Sequence, residues 1–380
     1  MKILITTGIF KPELGGPATY AVELGRRLHA AGHPTKVITY SDKPSFSFDK
    51  EFPFSLIRVV RSPNKLINYL KYFFAVVKHA RSYDIIYTLD WFSAGVPVML
   101  ASFFTGKKYI VRVGGGYIWE KYLAQGRPPV TLKQFYKNKL YKDYKIMYYS
   151  IKLVLRRASK VVFNSDEQRE LYKTYYGLKE DRVVTITNPV PENKFGTLLR
   201  SFKQEDTHPD KEIVYAGRFI KMKNVESVIK AFAKLRDESF TLLLIGEGPT
   251  EPELRRLVKE HGLSNRVTFM PVLSLVELYR RISNCYYVIT ASWTDISPMQ
   301  IYECLALGIP FLLTKENYLT INKFDFIKID PTLVDDIAEK MNMLLDPEMY
   351  WKHRESLSKL SYHYSWNNAV VDHMRLFTHI

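Results

Sequence analysis

Short apolar segments alternate with amphipathic segments along most of this chain, and that alternation restricts its fold more than any other feature. The first cycle is a strand, a glycine-containing loop, an amphipathic helix and a second strand, at Lys2–Thr7, Gly8–Gly16, Pro17–Gly32 and Thr35–Tyr40. Two parallel strands joined by a helix form the βαβ unit. Repetition of this unit predicts an α/β fold with a mostly parallel, doubly wound sheet.

A second series of strands and helices begins at Glu212–Ala216, after a polar and irregular stretch over Pro191–Asp210 that has the composition of a linker. A chain of 380 residues is long enough for two domains that each bury a core of their own. We therefore predict an N-terminal domain over residues 1–190 and a C-terminal domain over residues 191–363.

The stretch Ala291–Pro310 follows a short apolar strand and combines two carboxylates with a helix start. Asp295 lies in the loop and Glu303 inside the helix, while Ser297 is the predicted N-cap and Pro298 the first helical residue. The first N–H groups of a helix bind anions, and carboxylates beside a phosphate site can bind hydroxyl groups. The combination suits a nucleotide sugar, although a loop Asp and a solvated helix Glu would show the same spacing.

This pattern resembles the E-x7-E signature of the family 4 retaining glycosyltransferases, or glycosyl transferases group 1, which have the GT-B fold. Glu303 matches the second acidic position, and Asp295, shorter by one methylene, stands where the first Glu is expected. The resemblance implies two Rossmann-like doubly wound domains that face a central cleft. It also implies a hinge at Asn188-Pro189-Val190 and a last helix, about residues 364–380, that crosses back onto the first domain.

The resemblance also implies which residues bind the donor. Arg218 and Lys223 match the family's G-R-x4-K element, and two fixed cations would offset the charge of a departing nucleoside diphosphate. Glu303 would hold the ribose, and Asp295 the sugar. The remaining residues expected at the donor are a glycine pair from the first domain, two glycine turns and one helix start: Gly15, Gly16, Gly217, Gly246, Glu247, Gly248, Ser297, Pro298, Met299 and Gln300.

On the acceptor side, a glycine run follows the strand that contains Arg112. Many family members carry a His or an Asp here, whereas this chain has Gly114, Gly115 and Gly116. Arg112 and Glu120 are the polar candidates nearby, and an ion pair that holds the loop is the alternative. The resemblance implies no metal and no other cofactor, because the basic pair and the helix start can supply the electrostatic role of an ion.

Positive charge is concentrated in one part of the chain. The net charge is +16, and residues 61–160 contain 19 Lys or Arg against 4 Asp or Glu. Within them, Lys133–Arg157 has basic residues interleaved with Tyr, Leu and Ile at roughly helical spacing, which predicts one amphipathic helix. An anionic membrane surface is the expected partner of this region. A packed helix with a solvated Lys face and a single-stranded nucleic acid site are the alternatives.

Few features of the sequence indicate the cellular compartment of the protein. The two cysteines, Cys285 and Cys304, do not form a disulfide framework, and the first residues read as a strand and not as a signal peptide. No apolar run is long enough for a spanning helix. These features predict a cytoplasmic protein, with peripheral attachment to the inner face of the membrane.

The predicted function is a retaining glycosyltransferase that moves a hexose-type sugar from a nucleoside-diphosphate sugar to a glycan or lipid-linked acceptor. UDP is favoured over GDP, the process is envelope or polysaccharide synthesis, and nucleic acid is not an expected partner. An epimerase or a phosphorylase-like reaction would use the same fold. A further alternative is a degenerate family member that binds membrane or nucleic acid without turnover.

Overall fold

The computed structural model describes residues 1–13, 15–189, 209–319, 326–360 and 364–380. The predicted linker at Pro191–Asp210 lies almost wholly outside the described residues. The described residues form two compact units. The first comprises 1–118, 138–189 and 366–380, and the second comprises 119–137 and the described part of 190–365.

The strands, in chain order, are β1 (Ile3–Thr7), β2 (Thr35–Ser41), β3 (Ser55–Val60), β4 (Ile85–Thr88), β5 (Tyr109–Val113), β6 (Lys160–Phe163), β7 (Val183–Thr185), β8 (Glu212–Ala216), β9 (Thr241–Ile245), β10 (Val267–Met270), β11 (Tyr287–Thr290), β12 (Phe311–Thr314) and β13 (Lys328–Ile329). The α-helices of the described residues are α1 (Gly16–Ala30), α2 (Lys65–Ala80), α3 (Gly95–Thr105), α4 (Tyr117–Ala124), α5 (Leu132–Lys137), α6 (Lys145–Arg157), α7 (Asp166–Tyr176), α8 (Val225–Phe232), α9 (Glu251–Glu260), α10 (Leu275–Ile282), α11 (Met299–Leu307), α12 (Val334–Met343), α13 (Pro347–Ser358) and α14 (Trp366–Thr378). Short 3-10 helices occur at Ser47–Glu51, Leu140–Tyr144, Glu180–Arg182 and Lys221–Lys223.

Both sheets are parallel throughout, as the repeated βαβ pattern predicts. The first has the order β3-β2-β1-β4-β5-β6-β7 and the second the order β10-β9-β8-β11-β12-β13. The order reverses at β1/β4 in the first sheet and at β8/β11 in the second, which is the doubly wound arrangement of a Rossmann-like domain.

The core of the second unit shows why its strands are apolar on both sides. Alternate residues of one strand enter two different buried clusters, as Ile213 and Val214 of β8 do. Helices cover both faces of a parallel sheet, so both sets of side chains are buried. This explains continuous apolar strands such as Leu242–Ile245.

The last helix, α14, belongs to the first unit and packs against α1. The ring of Trp366 lies 5.1 Å from that of Tyr20, and Nε2 of His373 is hydrogen-bonded to the Tyr87 hydroxyl at 2.9 Å. Burial, reinforced by the Arg112 charge, lowers the pKa of His373 to about 3. The imidazole is therefore a neutral part of the core.

The basic segment Lys133–Arg157 is not the single helix that its spacing predicts. It is divided into α5, a 3-10 turn and α6, and the break lies at Lys139, whose φ is 57°. The two parts also belong to different units, because residues 119–137 pack with the second unit. The predicted domain boundary at residue 190 assigned residues 119–137 to the first domain, whereas the structure groups them with the second unit. Sequence spacing could not show this packing, since it depends on contacts with residues far along the chain.

Candidate functional site

Three loops meet at one edge of the second sheet. They follow β8, β9 and β11, which are adjacent in the order β9-β8-β11. In an open parallel sheet, ligands bind outside the carboxyl ends of the strands, at the point where the strand order reverses. The residues predicted to bind the donor in the C-terminal domain lie on these loops or on α11.

The loops after β8 and β9 are packed directly on one another. The N–H of Phe219 donates to the carbonyl of Glu247 at 2.8 Å. A Cβ at Gly246 would lie 2.0 Å from the carbonyl oxygen of Gly217, and one at Gly248 would lie 2.3 Å from that of Phe219. Gly246 and Gly248 are therefore needed for loop packing, whatever part they also take in binding.

Arg218 projects from the first of these loops and is exposed. Its carbonyl accepts a hydrogen bond from the Tyr215 hydroxyl at 3.1 Å, which fixes the backbone. Within the described residues, its guanidinium has no hydrogen-bond or ion-pair partner. Arg218 therefore combines a fixed backbone with a guanidinium that has no partner within the described residues, and such a group is suited to bind an anionic ligand.

Lys223 and Asp295 form an ion pair, with Nζ of Lys223 2.9 Å from Oδ2 of Asp295. The Asp295 residue is 6% exposed, and its Oδ2 also accepts from the hydroxyls of Ser292 at 3.1 Å and Thr290 at 3.5 Å. The other oxygen, Oδ1, makes no hydrogen bond to the described residues. The structure thus brings together two predicted site residues that are far apart in sequence.

Backbone hydrogen bonds hold this loop on two sides. The N–H of Asp295 donates to Glu316 at 2.9 Å, and its carbonyl accepts from Tyr318 at 3.1 Å. The N–H of Leu132, at the start of α5, donates to the hydroxyl of Thr294 at 2.9 Å. The segment 119–137 therefore contacts the residue next to Asp295. A cavity of about 340 Å³ lies between this segment and the starts of α8 and α9.

Glu303 lies in the middle of α11. Burial raises the pKa of its carboxyl to about 7, and a hydrogen bond from the Tyr279 hydroxyl opposes that rise. A carboxyl group of this kind changes its protonation state near neutral pH, which is frequent at functional sites.

The start of α11 differs from the prediction by one residue. The helix begins at Met299 with Pro298 at the N-cap position, so Ser297 is not the N-cap. The carbonyl of Pro298 accepts from the N–H of Ile301 at 3.1 Å. The first N–H groups of the helix, including those of Met299 and Gln300, have no intrahelical partner and can bind an anion.

In the first unit, Arg112 is buried and engaged in structural contacts. One guanidinium nitrogen donates to Asn164 at 2.6 Å, to the carbonyl of Ile186 at 2.9 Å and to Asn188 at 2.8 Å, while the group stacks on Tyr20. Arg112 thus connects the segments that follow neighbouring strands, and its predicted place on the acceptor side stays a prediction.

The other predicted residues on the N-terminal side are glycines and one glutamate. The carbonyls of Gly114 and Gly115 accept from Asn164 and Tyr172, at 3.3 and 3.1 Å. Gly116 is buried, and Glu120 is grouped with the second unit. Gly15 and Gly16 lie at the start of α1, where Gly16 is exposed.

Several polar residues of the site were missed by sequence reasoning: Tyr279, Thr290, Ser292 and Thr294. Ser292 and Asp295 are close in the chain, so their hydrogen bond had a weak local signal. No local sequence signal indicated Tyr279, because it lies on a different helix from Glu303. Among the described residues, no group of three or more His, Cys, Asp or Glu is placed to hold a metal ion. Independence from metal stays a prediction.

Residues 14–194 match the family model described as Glycosyltransferase Family 4, and residues 199–363 match the model described as Glycosyl transferases group 1. The chain belongs to the family 4, group 1 glycosyltransferases. The family resemblance predicted from the sequence is confirmed.

Similar proteins support this assignment. The alpha-D-kanosaminyltransferase of Streptomyces kanamyceticus is 26% identical, over 54% of this chain and 56% of its own length. The alpha-monoglucosyldiacylglycerol synthase of Streptococcus pneumoniae is 23% identical, over 84% of this chain and 72% of its own. The chain spans somewhat over half the length of the first two curated relatives that it matches.

The fold is similar to that of solved glycosyltransferases. The crystal structure of Anabaena HepE in complex with UDP and glucose has a TM-score of 0.74 at 17% identity and covers 100% of both chains. At this level of identity the similarity establishes the fold, and the predicted GT-B class is confirmed.

The packing of the glycine loops generates a stability prediction. The Gly246→Ala substitution should lower the free energy of unfolding by about 3 kcal/mol or more, because the new methyl group meets the Gly217 carbonyl at a φ of 147°. Gly262→Ala is the control, with φ 69° and no heavy atom within 4 Å, and should lose only about 1–2 kcal/mol. Urea denaturation measures both, and equal losses would contradict the proposed clash.

The raised pKa of Glu303 generates a pH prediction. Its pKa in the folded protein, about 7, lies above the ordinary value of 4.5, so ionisation destabilises the fold as pH rises through this interval. The melting temperature of the Glu303→Gln protein should therefore exceed that of wild type at pH 8, and the difference should be much smaller at pH 5. Glu247→Gln, the same substitution at an exposed glutamate, is the control. A Glu303→Gln effect independent of pH would contradict the assignment.

Proposed function

We propose that the protein is a retaining glycosyltransferase that uses a nucleoside-diphosphate sugar. The observation that carries this proposal is the arrangement at the carboxyl edge of the second sheet. There Lys223 lies 2.9 Å from Asp295, and Arg218 has no partner within the described residues. Family membership gives the reaction class that this arrangement serves.

We assign each of these residues a role that is compatible with its contacts and with the family pattern. Arg218 can form two charge-assisted hydrogen bonds to the diphosphate without breaking a bond to protein. Lys223 keeps the Asp295 carboxylate oriented through Oδ2 and leaves Oδ1 to accept from a sugar hydroxyl. Ionised Glu303 accepts from the ribose hydroxyls. The N–H groups at the start of α11 add a positive dipole end near the phosphates.

The proposed transfer is a front-side displacement. The acceptor oxygen forms a bond to the anomeric carbon on the face from which the diphosphate leaves, and the bond from that carbon to the phosphate oxygen breaks. The acceptor proton passes to the departing phosphate oxygen. Arg218 and Lys223 stabilise the charge that grows on the diphosphate, so the protein's contribution is electrostatic and positional.

UDP is the proposed donor nucleotide, and the proposed acceptor is a glycan or a lipid-linked molecule in envelope or polysaccharide synthesis. HepE was crystallised with UDP and glucose, and one relative is named a monoglucosyldiacylglycerol synthase. We further propose a cytoplasmic protein that attaches to an anionic membrane surface through the basic region 61–160. None of the described helices has both the length and the apolar character needed to cross a membrane.

A degenerate member that binds without turnover is the second candidate. It is favoured by two departures from the family pattern, the shorter Asp295 and the run Gly114–Gly116 where many members carry a His or an Asp. This candidate predicts no turnover with any donor.

Ligand-dependent thermal unfolding tests the donor site. UDP and UDP-glucose should raise the melting temperature of the wild type more than GDP does, because a ligand of the folded state stabilises it by RT ln(1 + [L]/Kd). Arg218→Ala should weaken UDP binding about tenfold or more, since it removes charge-assisted hydrogen bonds. The exposed Arg236→Ala is the matched control and should bind UDP like wild type. No shift with any nucleotide would leave only the second candidate.

Product stereochemistry tests the retaining route. With UDP-α-glucose and a panel of alkyl glycoside and lipid acceptors, proton NMR of the product should show an α-linkage, because front-side displacement keeps the configuration. Release of UDP should require acceptor, which separates transfer from epimerisation. A β-linked product would overturn the retaining mechanism but leave the donor site intact.

A further inference from the structure

The segment 119–137 leaves the first unit and returns to it, and between those points it packs with the second unit. It contains α5 and most of α4. The hydrogen bond from Leu132 to Thr294 joins residues 162 positions apart in the chain. The segment is therefore an insertion from the first half of the chain that lies against the loop containing Asp295.

Internal contacts hold the segment together. Nε1 of Trp119 donates to the carbonyl of Val130 at 2.8 Å, and the side chains of Trp119 and Phe135 are buried. Thr131 and Gln134 form a capping box, in which the main-chain N–H of each donates to the side-chain oxygen of the other, at 3.0 and 3.2 Å. These bonds fix the point at which α5 begins.

The Thr294 hydroxyl accepts the first N–H of α5. Leu132 is the first residue of this helix, and the first N–H groups of a helix have no partner within it. Here the Leu132 N–H donates to Oγ1 of Thr294 at 2.9 Å, and that hydroxyl donates to the carbonyl of Trp293 at 2.7 Å. Thr294 is 1% exposed, so water has almost no access to replace these bonds.

The same stretch of backbone lies beside the Lys223–Asp295 ion pair. The N–H of Trp293 donates to the carbonyl of Met222 at 3.0 Å. Met222 directly precedes Lys223 in the chain, as Thr294 precedes Asp295. A series of hydrogen bonds therefore runs from α5 through Thr294 and Trp293 to the residue before Lys223.

The next residue of α5 makes a second contact. Nζ of Lys133 lies 5.6 Å from the ring centre of Tyr318, and the N–H of Tyr318 donates to the carbonyl of Asp295 at 3.1 Å. Two successive residues of α5, Leu132 and Lys133, thus contact the residue before Asp295 and the residue bonded to its carbonyl. The backbone of Asp295 is held between these contacts.

The Asp295 side chain is short, so a shift of its backbone moves the carboxylate. Oδ2 is bonded to Lys223 and to the hydroxyl of Ser292, at 2.9 and 3.1 Å. Under the proposed function, Oδ1 accepts from a hydroxyl of the donor sugar. Such a bond weakens steeply when its distance or angle departs from the optimum.

We propose that the segment 119–137 is a positioning element for recognition of the donor sugar, and that Thr294 is the positioning residue through which it acts on Asp295. The inference rests on the proposed function, which assigns Asp295 to a sugar hydroxyl. It goes beyond that function, because neither the segment nor Thr294 belongs to the family pattern. Binding of the diphosphate, assigned chiefly to Arg218 on another loop, should not depend on this contact.

Calorimetric titration of the full chain with UDP and with UDP-glucose tests the proposal, because the two ligands differ only in the sugar. Thr294→Val keeps the shape of the side chain and removes the hydroxyl that serves Leu132 and Trp293. It should weaken UDP-glucose binding about fivefold or more and UDP binding by about twofold at most. Thr294→Ser retains the hydroxyl and should bind both ligands like wild type.

Thr35→Val is the matched control. Thr35 is a buried residue of the first unit, at the start of β2, and its hydroxyl donates to the carbonyl of His33 at 2.9 Å. This variant loses a comparable hydrogen bond away from the donor site, so the ratio of the two affinities should stay at the wild-type value.

A double-mutant cycle shows whether Thr294 acts through Asp295. In an Asp295→Asn background, Thr294→Val should cause little further loss of UDP-glucose affinity, because coupled residues are not additive. The exposed Gln134→Ala breaks the capping box without a buried substitution, and it should weaken UDP-glucose binding about twofold with UDP unaffected. This variant carries the test if Thr294→Val does not fold.

The outcomes separate this inference from the donor site. Equal losses of UDP and UDP-glucose affinity in Thr294→Val would show a merely structural bond and overturn the inference, as would full additivity with Asp295→Asn. Binding of UDP-glucose at the wild-type level by both Thr294→Val and Gln134→Ala would also overturn it and leave the donor site intact. Failure of wild type to bind either ligand would overturn the donor site and the inference together.

Discussion

The parallel pairing of β9, β8 and β11 is the constraint on which the candidate site depends. Each of these strands is buried, runs in the same direction and ends at the same edge of the sheet. The loops that follow them therefore meet in space although they are separated by many residues in the chain. Without this strand pairing, Lys223 and Asp295 would not be brought close enough to form an ion pair.

Close packing and hydrogen bonds hold the loops at this edge in place. Gly246 and Gly248 allow one loop to contact the carbonyls of another at distances that exclude a Cβ atom. The loop around Asp295 is hydrogen-bonded to Glu316, Tyr318 and, through Thr294, to the start of α5. Under the proposed function, a backbone held in this way would let the exposed Arg218 and the paired Lys223 bind the diphosphate without reorganisation, as preorganised charges do.

The two units differ in the side chains that they bury and expose. The second contains the Lys223–Asp295 ion pair and the exposed Arg218, which are the basis of the proposed donor site. The first carries helices without acidic residues and with large apolar side chains in solvent. The buried Arg112 shows that cations in the basic region differ in role, since its guanidinium holds strand ends together.

The sequence by itself determined the α/β class, the parallel sheets, most strand bounds and the family, because apolar periodicity and short motifs are local properties of the chain. It also indicated Asp295, Glu303, Arg218 and Lys223, whose spacing follows a family pattern.

Only the tertiary structure decided that Lys223 pairs with Asp295, that burial raises the pKa of Glu303, and that residues 119–137 pack with the second unit. It also divided the basic segment at Lys139 and packed α3 against both α2 and α6. Pairing, burial and packing depend on residues distant in the chain, and no local pattern encodes them.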